Sequence, residues 1–265
     1  MNIFKQELKM MFRSLISYTI GMLIMFYFFL FFFDSFSSNT RVLDELLSNF
    51  PKEFRAAFGF SDVKMSELSG YLSFLYGYIV LIGAIFGMKL GISVLSEETR
   101  VKTADFLISK PVKRYQIAAE KLAAVLVCIV LQNILMLAIA MPGALSKADD
   151  KLSAGVFTLF SLTILMVQLF FVGTGMFLSV LFRRIKAVMP ITLAVVFMFY
   201  IIELINQSLL EEKLTYLTPF SYFKGAYIIE HSSYQLKYVA VDIAVFIIFT
   251  LLGCFIYQKK DVHSV

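Results

Sequence analysis

Between Leu95 and Leu122 the chain reads LSEETRVKTADFLISKPVKRYQIAAEKL, with six basic and four acidic side chains. On one side stands GYLSFLYGYIVLIGAIFGMKLGISV (70–94) and on the other AAVLVCIVLQNILMLAIAM (123–141). Each apolar run is long enough to cross a bilayer core, which takes about 20 residues of helix. The charged stretch is therefore a turn-round between two membrane spans, and the side of the membrane on which it lies sets the topology of the whole chain.

Working outward, the 265 residues are 59% hydrophobic and only 16% charged. A soluble domain carries roughly 25% charged residues, so the composition is that of a membrane protein. The net charge of +5 is distributed as the positive-inside rule requires, and nucleic acid is not an implied partner. Cys128 and Cys254 are widely separated within apolar runs and read as small hydrophobes, not as a disulfide framework.

Four more spans follow from the same scan. Spans are predicted at about 15–33, 71–95, 122–141, 154–182, 187–204 and 238–257, with Lys89 close enough to one end of the second to snorkel. The run at 154–182 exceeds one crossing and implies tilt or protrusion. Residues 1–13, with Ile3, Phe4, Leu8, Met11 and Phe12 on one face, read as an amphipathic helix lying in the interface before the first span. With the N-terminus inside, the inner segments hold 15 of the 24 basic residues against six acids, and the outer segments hold nine against eleven. This asymmetry puts both termini and the 96–121 loop in the cytoplasm. The expected fold is an all-α integral membrane protein, one six-span domain over residues 1–265.

Two outer segments are more than linkers. The segment 34–70 suggests amphipathic helices broken at Pro51. In LTPFSYF (217–223), Pro219, Phe220, Tyr222 and Phe223, with Tyr227 beyond, suit a re-entrant or interfacial element before the sixth span; aromatic girdle residues are the alternative. Two acids, Glu203 and Asp242, fall at or near membrane depth, where a carboxylate is a functional candidate. Gly83, Gly87 and Gly91 form a small-xxx-small ladder that lets helix backbones approach, in a dimer seam or within one chain. The GTG at 173–175 follows no strand and reads as helix packing.

The chemistry of catalysis is missing. There is no GxxxxGK[ST] loop to cradle nucleotide phosphates, and no HExxH, GxSxG or Cys/His cluster. His231 and His263 are badly placed to share a metal. No catalytic residue, metal site or cofactor is expected in this chain.

Within the opening stretch, Ser96 reads as a helix cap, with Glu97 and Glu98 favourable at the positive end of the helix dipole. Glu97–Arg100 and Glu98–Lys102 have the spacing of helical ion pairs. Pro111 ends this helix near Ser109, and a second helix starts about Lys113. Val101, Ala104, Leu107 and Ile108 give the short helix an apolar stripe that needs a partner.

The order Glu98, Lys102-Thr103, Phe106-Leu107, Pro111, Arg114, Lys121 resembles the cytosolic loop between the second and third spans of type-two ABC exporter permeases. LTPFSYF and the ending YQKKDV (257–262) are similar to that family too, and the resemblance covers essentially the whole chain. Lys102 departs from the pattern, where glycine is frequent. The resemblance implies a bacterial plasma-membrane permease without its own ATPase, paired with a second permease subunit, identical or related. Cytosolic ABC ATPase subunits would bind the ATP and Mg. Residues Thr103 to Ser109 would be the coupling helix, with Phe106 and Leu107 as its buried anchor. Glu97, Glu98, Arg100, Lys102, Asp105, Lys113 and Arg114 would make rim contacts beside Thr103. Pro219, Phe220, Tyr222 and Phe223 would belong to an outer gate.

The implied cargo is an amphipathic or hydrophobic compound, an antimicrobial or cytolytic peptide first, then a drug or lipid-linked molecule. A pathway rich in Phe and Met suits such cargo. Two other classes compete. An ion-coupled secondary transporter would use Glu203 and Asp242, although no inverted repeat is evident. A membrane anchor would recruit a cytosolic partner through the 96–121 loop without transporting anything.

Overall fold

A computed structural model describes residues 3–38, 49–51, 55, 67–101, 114–148, 152–182, 185–209 and 212–259, with the side chains at 36, 38, 98–101, 114 and 212 excepted. The helices are α1 (Ile3–Ser38), α2 (Leu68–Val101), α3 (Arg114–Leu145), α4 (Ala154–Leu181), α5 (Val188–Leu209), α6 (Glu212–Thr215), α7 (Gly225–His231) and α8 (Leu236–Lys259), with a 3-10 turn at Pro219–Ser221. Six of them, α1 to α5 and α8, are long and apolar enough to cross a membrane, and no strand occurs among the described residues. Successive crossings alternate. The start of α1, the end of α2 and the start of α3 therefore share one end of the bundle, here the loop end, while Ser38, Leu68 and Leu145 mark the far end.

The first three helices outrun their apolar stretches. With 36, 34 and 32 residues they are each about 50 Å long at 1.5 Å per residue, against a hydrocarbon core of about 30 Å. Hydropathy marks where lipid begins; it does not mark where a helix ends. The expected interfacial helix at 1–13 is not a separate element, because α1 runs from Ile3 through Arg13 without a break. Neither Gly nor Pro occurs before Gly21 to interrupt it, and contacts with α3 hold its first turns upright. Ser96 is likewise not a cap. The helix continues to Val101, and the Ser96 hydroxyl donates to the Ile92 carbonyl one turn back, at 2.6 Å, the usual outlet for a serine inside a helix. The later helices begin and end closer to the predicted limits, except that α5 continues a turn past Leu204. At the start of α4, Ser153 is a true N-cap, its hydroxyl oxygen accepting from the Val156 amide at 3.2 Å.

The bundle is organised about α2 and α4, the two most buried spans. Their backbones meet through glycine. A Cβ on Gly87 would lie 2.9 Å from the Gln168 carbonyl oxygen, one on Gly91 would collide with that of Val172, and one on Gly175 would lie 2.9 Å from that of Met88. Gly83 makes room instead for a side chain, the Ile164 methyl, 2.8 Å from where a Cβ would lie. The ladder thus packs within the chain, α2 against α4, and a side chain at Gly87 or Gly91 would force the helices apart. Gly173 turns to the other flank of α4, where its missing Cβ admits the Phe246 backbone of α8, and Gly253 of α8 lies against Met176.

Aromatic rings fill the far half of the core. Tyr76 stacks on Phe160 at 5.3 Å and meets Phe157 edge-on at 5.8 Å, and Phe26 closes on Phe157 at 6.0 Å. A second apolar cluster occupies the loop half: Met11 and Leu15 of α1, Leu90 and Val94 of α2, Ala118 and Val125 of α3, and Met176 and Val180 of α4.

Candidate functional site

At the loop end, three helix termini are joined by charge. Lys121, in the second turn of α3, is 1% exposed, and Glu7 of α1 is 6% exposed. The Lys121 ammonium lies 2.9 Å from Glu7 Oε1 and donates to the Val94 carbonyl of α2 at 2.9 Å. One residue earlier, the Glu120 carboxylate accepts from the Phe4 amide at 3.2 Å, satisfying one of the free N–H groups at the start of α1. Lys89 donates to the Ser14 hydroxyl at 2.5 Å and sits 5.2 Å above the Tyr18 ring, so it is held inside the protein.

These contacts surround the segment in which most of the predicted interface lies. Glu97 is half-buried near the end of α2. Glu98 and Arg100 are in α2, and Arg114 opens α3, but their side chains are not among those described. Lys102, Thr103, Asp105, Phe106, Leu107 and Lys113 lie outside the described residues. So does most of the segment around Pro51, where the Arg55 amide donates to the Pro51 carbonyl at 3.1 Å.

At the far end, residues 212–235 fold as short helical pieces pressed onto the spans. Glu203 of α5 accepts from Gln207 at 2.6 Å and from the Ser221 hydroxyl. Asn206, one turn along, donates to Ser221 at 2.9 Å and to Thr215 at 3.2 Å. Thr218 donates to the Phe199 carbonyl at 3.0 Å. Ser221 and Thr218 are fully buried, and together these bonds fasten the turn to α5.

The predicted gate residues are all drawn into this element. Pro219 opens the 3-10 turn. Phe220 lies 5.6 Å from Phe171 and 5.7 Å from Tyr200. Tyr222 stacks parallel to Tyr238 at 5.7 Å, and its hydroxyl donates to the Tyr216 carbonyl at 2.9 Å. Phe223 meets Tyr234 at 5.1 Å. Tyr222 and Phe223 are buried in protein, so they are not girdle residues facing lipid. Gly225 starts α7 where a Cβ would collide with Ser73 of α2. Burial pushes the Tyr222 phenol well above its ordinary range, helped by nearby Asp242 and Tyr238. Burial does the same to Tyr234, partly offset by its hydrogen bond with Thr163. Both hydroxyls therefore stay protonated and able to donate at physiological pH.

The two membrane carboxylates differ sharply. Glu203 is fully engaged in holding the turn. Asp242 of α8 is 0% exposed, and neither of its oxygens has a hydrogen-bond partner.

A third polar group lies midway along the bundle, and the sequence reading passed over it. Gln168 of α4 donates to Gln132 of α3 at 2.6 Å and accepts from Asn133 at 2.7 Å. Asn133 also donates to the Ile129 carbonyl at 2.8 Å, and Gln132 contacts the Met22 sulfur at 3.5 Å. A scan for charge-free runs ignores neutral amides, although Gln132-Asn133 and Gln168 interrupt apolar runs and could have been flagged. Lys121 was legible only as one more basic loop residue.

Among the described residues no three His, Cys, Asp or Glu side chains are grouped to hold a metal. What the arrangement offers is mechanical: polar clusters at both ends of six spans, connected through a glycine-packed centre.

The chain has no significant match among curated proteins or among solved structures. The family model for ABC-2 family transporter proteins matches residues 1–262. With six apolar helices and nearly its full length covered by that match, the chain belongs to the ABC-2 transporter family and is a membrane subunit of an ABC transporter.

Proposed function

We propose that this chain forms half of the pathway of an ATP-driven exporter in the bacterial plasma membrane, with both termini in the cytoplasm. Its cargo is an amphipathic or hydrophobic compound, in the first place an antimicrobial or cytolytic peptide and otherwise a drug or lipid. The observation that carries this reading is the family match over residues 1–262, together with a chain in which no phosphate-binding loop occurs. ATP and Mg are bound by separate cytosolic ATPase subunits, and a second permease, identical or related, completes the pathway.

The loop end faces those ATPases. Residues Thr103 to Ser109 seat as a coupling helix, with Phe106 and Leu107 buried in an ATPase cleft and the charged side chains from Glu97 to Arg114 around the rim. The element that carries Pro219, Phe220, Tyr222 and Phe223 closes the outer mouth. Its ties to α5 are hydrogen bonds from neutral donors, one of them to the Glu203 carboxylate, each worth about 0.5–3 kcal/mol net. That scale suits a latch opened by nucleotide-driven movement.

Detergent-solubilised protein from its native host tests the reading. An ABC ATPase is expected to co-purify with the wild type and to be lost with Phe106→Asp/Leu107→Asp. If no ATPase accompanies either protein, the reading fails. An ion-coupled transporter then takes its place, favoured by the unpartnered carboxylate of Asp242.

A further inference from the structure

We infer that Lys121 is a positioning residue that makes the two stems of the 102–113 loop and the first helix move as one body, so that force entering through the loop is delivered to α1, α2 and α3 together. The inference rests on the exporter reading above and concerns residues that the reading leaves unused.

The geometry is nearly symmetric about the loop. The last residue of α2 is Val101 and the first of α3 is Arg114. Val94 precedes the one by two turns, and Lys121 follows the other by two turns. At 1.5 Å per residue, the Lys121–Val94 hydrogen bond therefore ties the stems together about 10 Å from the loop on each side. The same ammonium holds Glu7, and the neighbouring Glu120 holds the Phe4 amide. One side chain thus pins two helices to its own.

A surface ion pair would make a poor joint, because water and salt weaken it and its members move. This one is buried at the edge of the apolar cluster of Met11, Leu15, Leu90, Val94, Ala118 and Val125. Sliding α1 away from α3 would leave an unpaired charge among apolar side chains, a state far costlier than the joined one, and sliding α2 away would take from the buried ammonium one of its acceptors. The helices can tilt as a group but resist separating. A mere cap on the bundle could be replaced by apolar residues without consequence; a joint could not.

That difference defines the test. The permease is co-expressed with its ATPase, purified as the complex and placed in nanodiscs, with Cys128 and Cys254 replaced by Ser. Spin labels go to the exposed positions Met10 and Tyr115 at the loop end, and in a second sample to Leu217 and Leu236 at the far end. Spectra are taken without nucleotide and after trapping with ATP and orthovanadate. In the otherwise wild-type protein the Met10–Tyr115 distribution is narrow and unchanged by trapping, while the far-end pair shifts.

Glu7→Leu/Lys121→Met keeps the volume of the pair and leaves no stranded charge, so it folds where single substitutions are at risk. It is expected to broaden the Met10–Tyr115 distribution and to lose the far-end shift while ATP hydrolysis continues. Lys121→Arg restores both. A narrow distribution with a full far-end shift in the double variant overturns the proposal, as does a wild-type Met10–Tyr115 distance that changes on trapping. If no ATPase joins the wild-type protein, the exporter reading falls. The nucleotide-free spectra of the double variant then still decide whether the pair joins the helices.

Discussion

The two ends of the bundle solve the same problem, a carboxylate taken out of water, in opposite ways. At the loop end Glu7 is met by a full positive charge, and Lys121 shares that charge with a backbone carbonyl. At the far end Glu203 receives only neutral donors, Gln207 from one turn along its own helix and Ser221 from the short turn packed against the spans. A charge pair sealed in an apolar cluster is expensive to break. Hydrogen bonds from neutral donors to a carboxylate are worth less, about 1.5–3 kcal/mol each. The loop end is therefore the more strongly joined of the two, and under the proposed function it is the end that stays together while the far end opens.

The largest test of this contrast is Lys121→Met alone. It leaves Glu7 and the Val94 carbonyl facing a thioether, and stranding one member of a buried pair costs about 3–5 kcal/mol. Equilibrium unfolding in mixed micelles should show that loss, with poor recovery of folded protein. A cost below about 1 kcal/mol, the range of exposed pairs, would mean that water reaches the site and that the two ends do not differ in kind.

Ser221→Ala probes the other side. The fully buried hydroxyl donates to Glu203 and accepts from Asn206, so its removal leaves two buried groups each short of a partner. About 2 kcal/mol is expected, within the range for one unsatisfied buried group to a pair of them. The loss should be confined to the far end. Hydrogen exchange should rise in residues 212–223 and stay unchanged around Lys121. Uniform loosening of both ends would argue against separate latches.

Much of this frame was legible in the sequence, for a physical reason. A membrane span must satisfy its backbone internally and be apolar over the core thickness, so composition and length alone locate it. The ladder Gly83, Gly87, Gly91 announced a close backbone approach through its spacing, though not that α4 was the partner. Helix ends were less legible: Ser96 reads as a cap yet lies inside α2 with its hydroxyl on the Ile92 carbonyl, and residues 3–13 run straight into the span, held by contacts with α3, a distant part of the chain. The joint at Lys121 was hidden for the same reason: in sequence it is one cation of a basic loop, and only packing makes it a buried one. Glu203 and Asp242 stood out equally as acids in apolar runs, yet whether a carboxylate has donors depends on what the fold brings to it.

Asp242 provides the smallest effect and the most telling sign. Its neighbour Tyr222 points its hydroxyl at the Tyr216 carbonyl, and the carboxylate has no hydrogen-bond partner. A buried polar group without a partner costs about 1–3 kcal/mol by mutational measures. Asp242→Leu, which is close in shape, should therefore stabilise the protein, by about 1 kcal/mol once some misfit is allowed for. The measurement is the unfolding midpoint of the variant in the micelles used for Lys121→Met. A stabilised variant that has lost export would mean that the carboxylate is retained for an open state in which it meets water, cargo or an ion. A destabilised variant would show that Asp242 is already partnered, and the far end would then resemble the loop end more than its hydrogen bonds suggest.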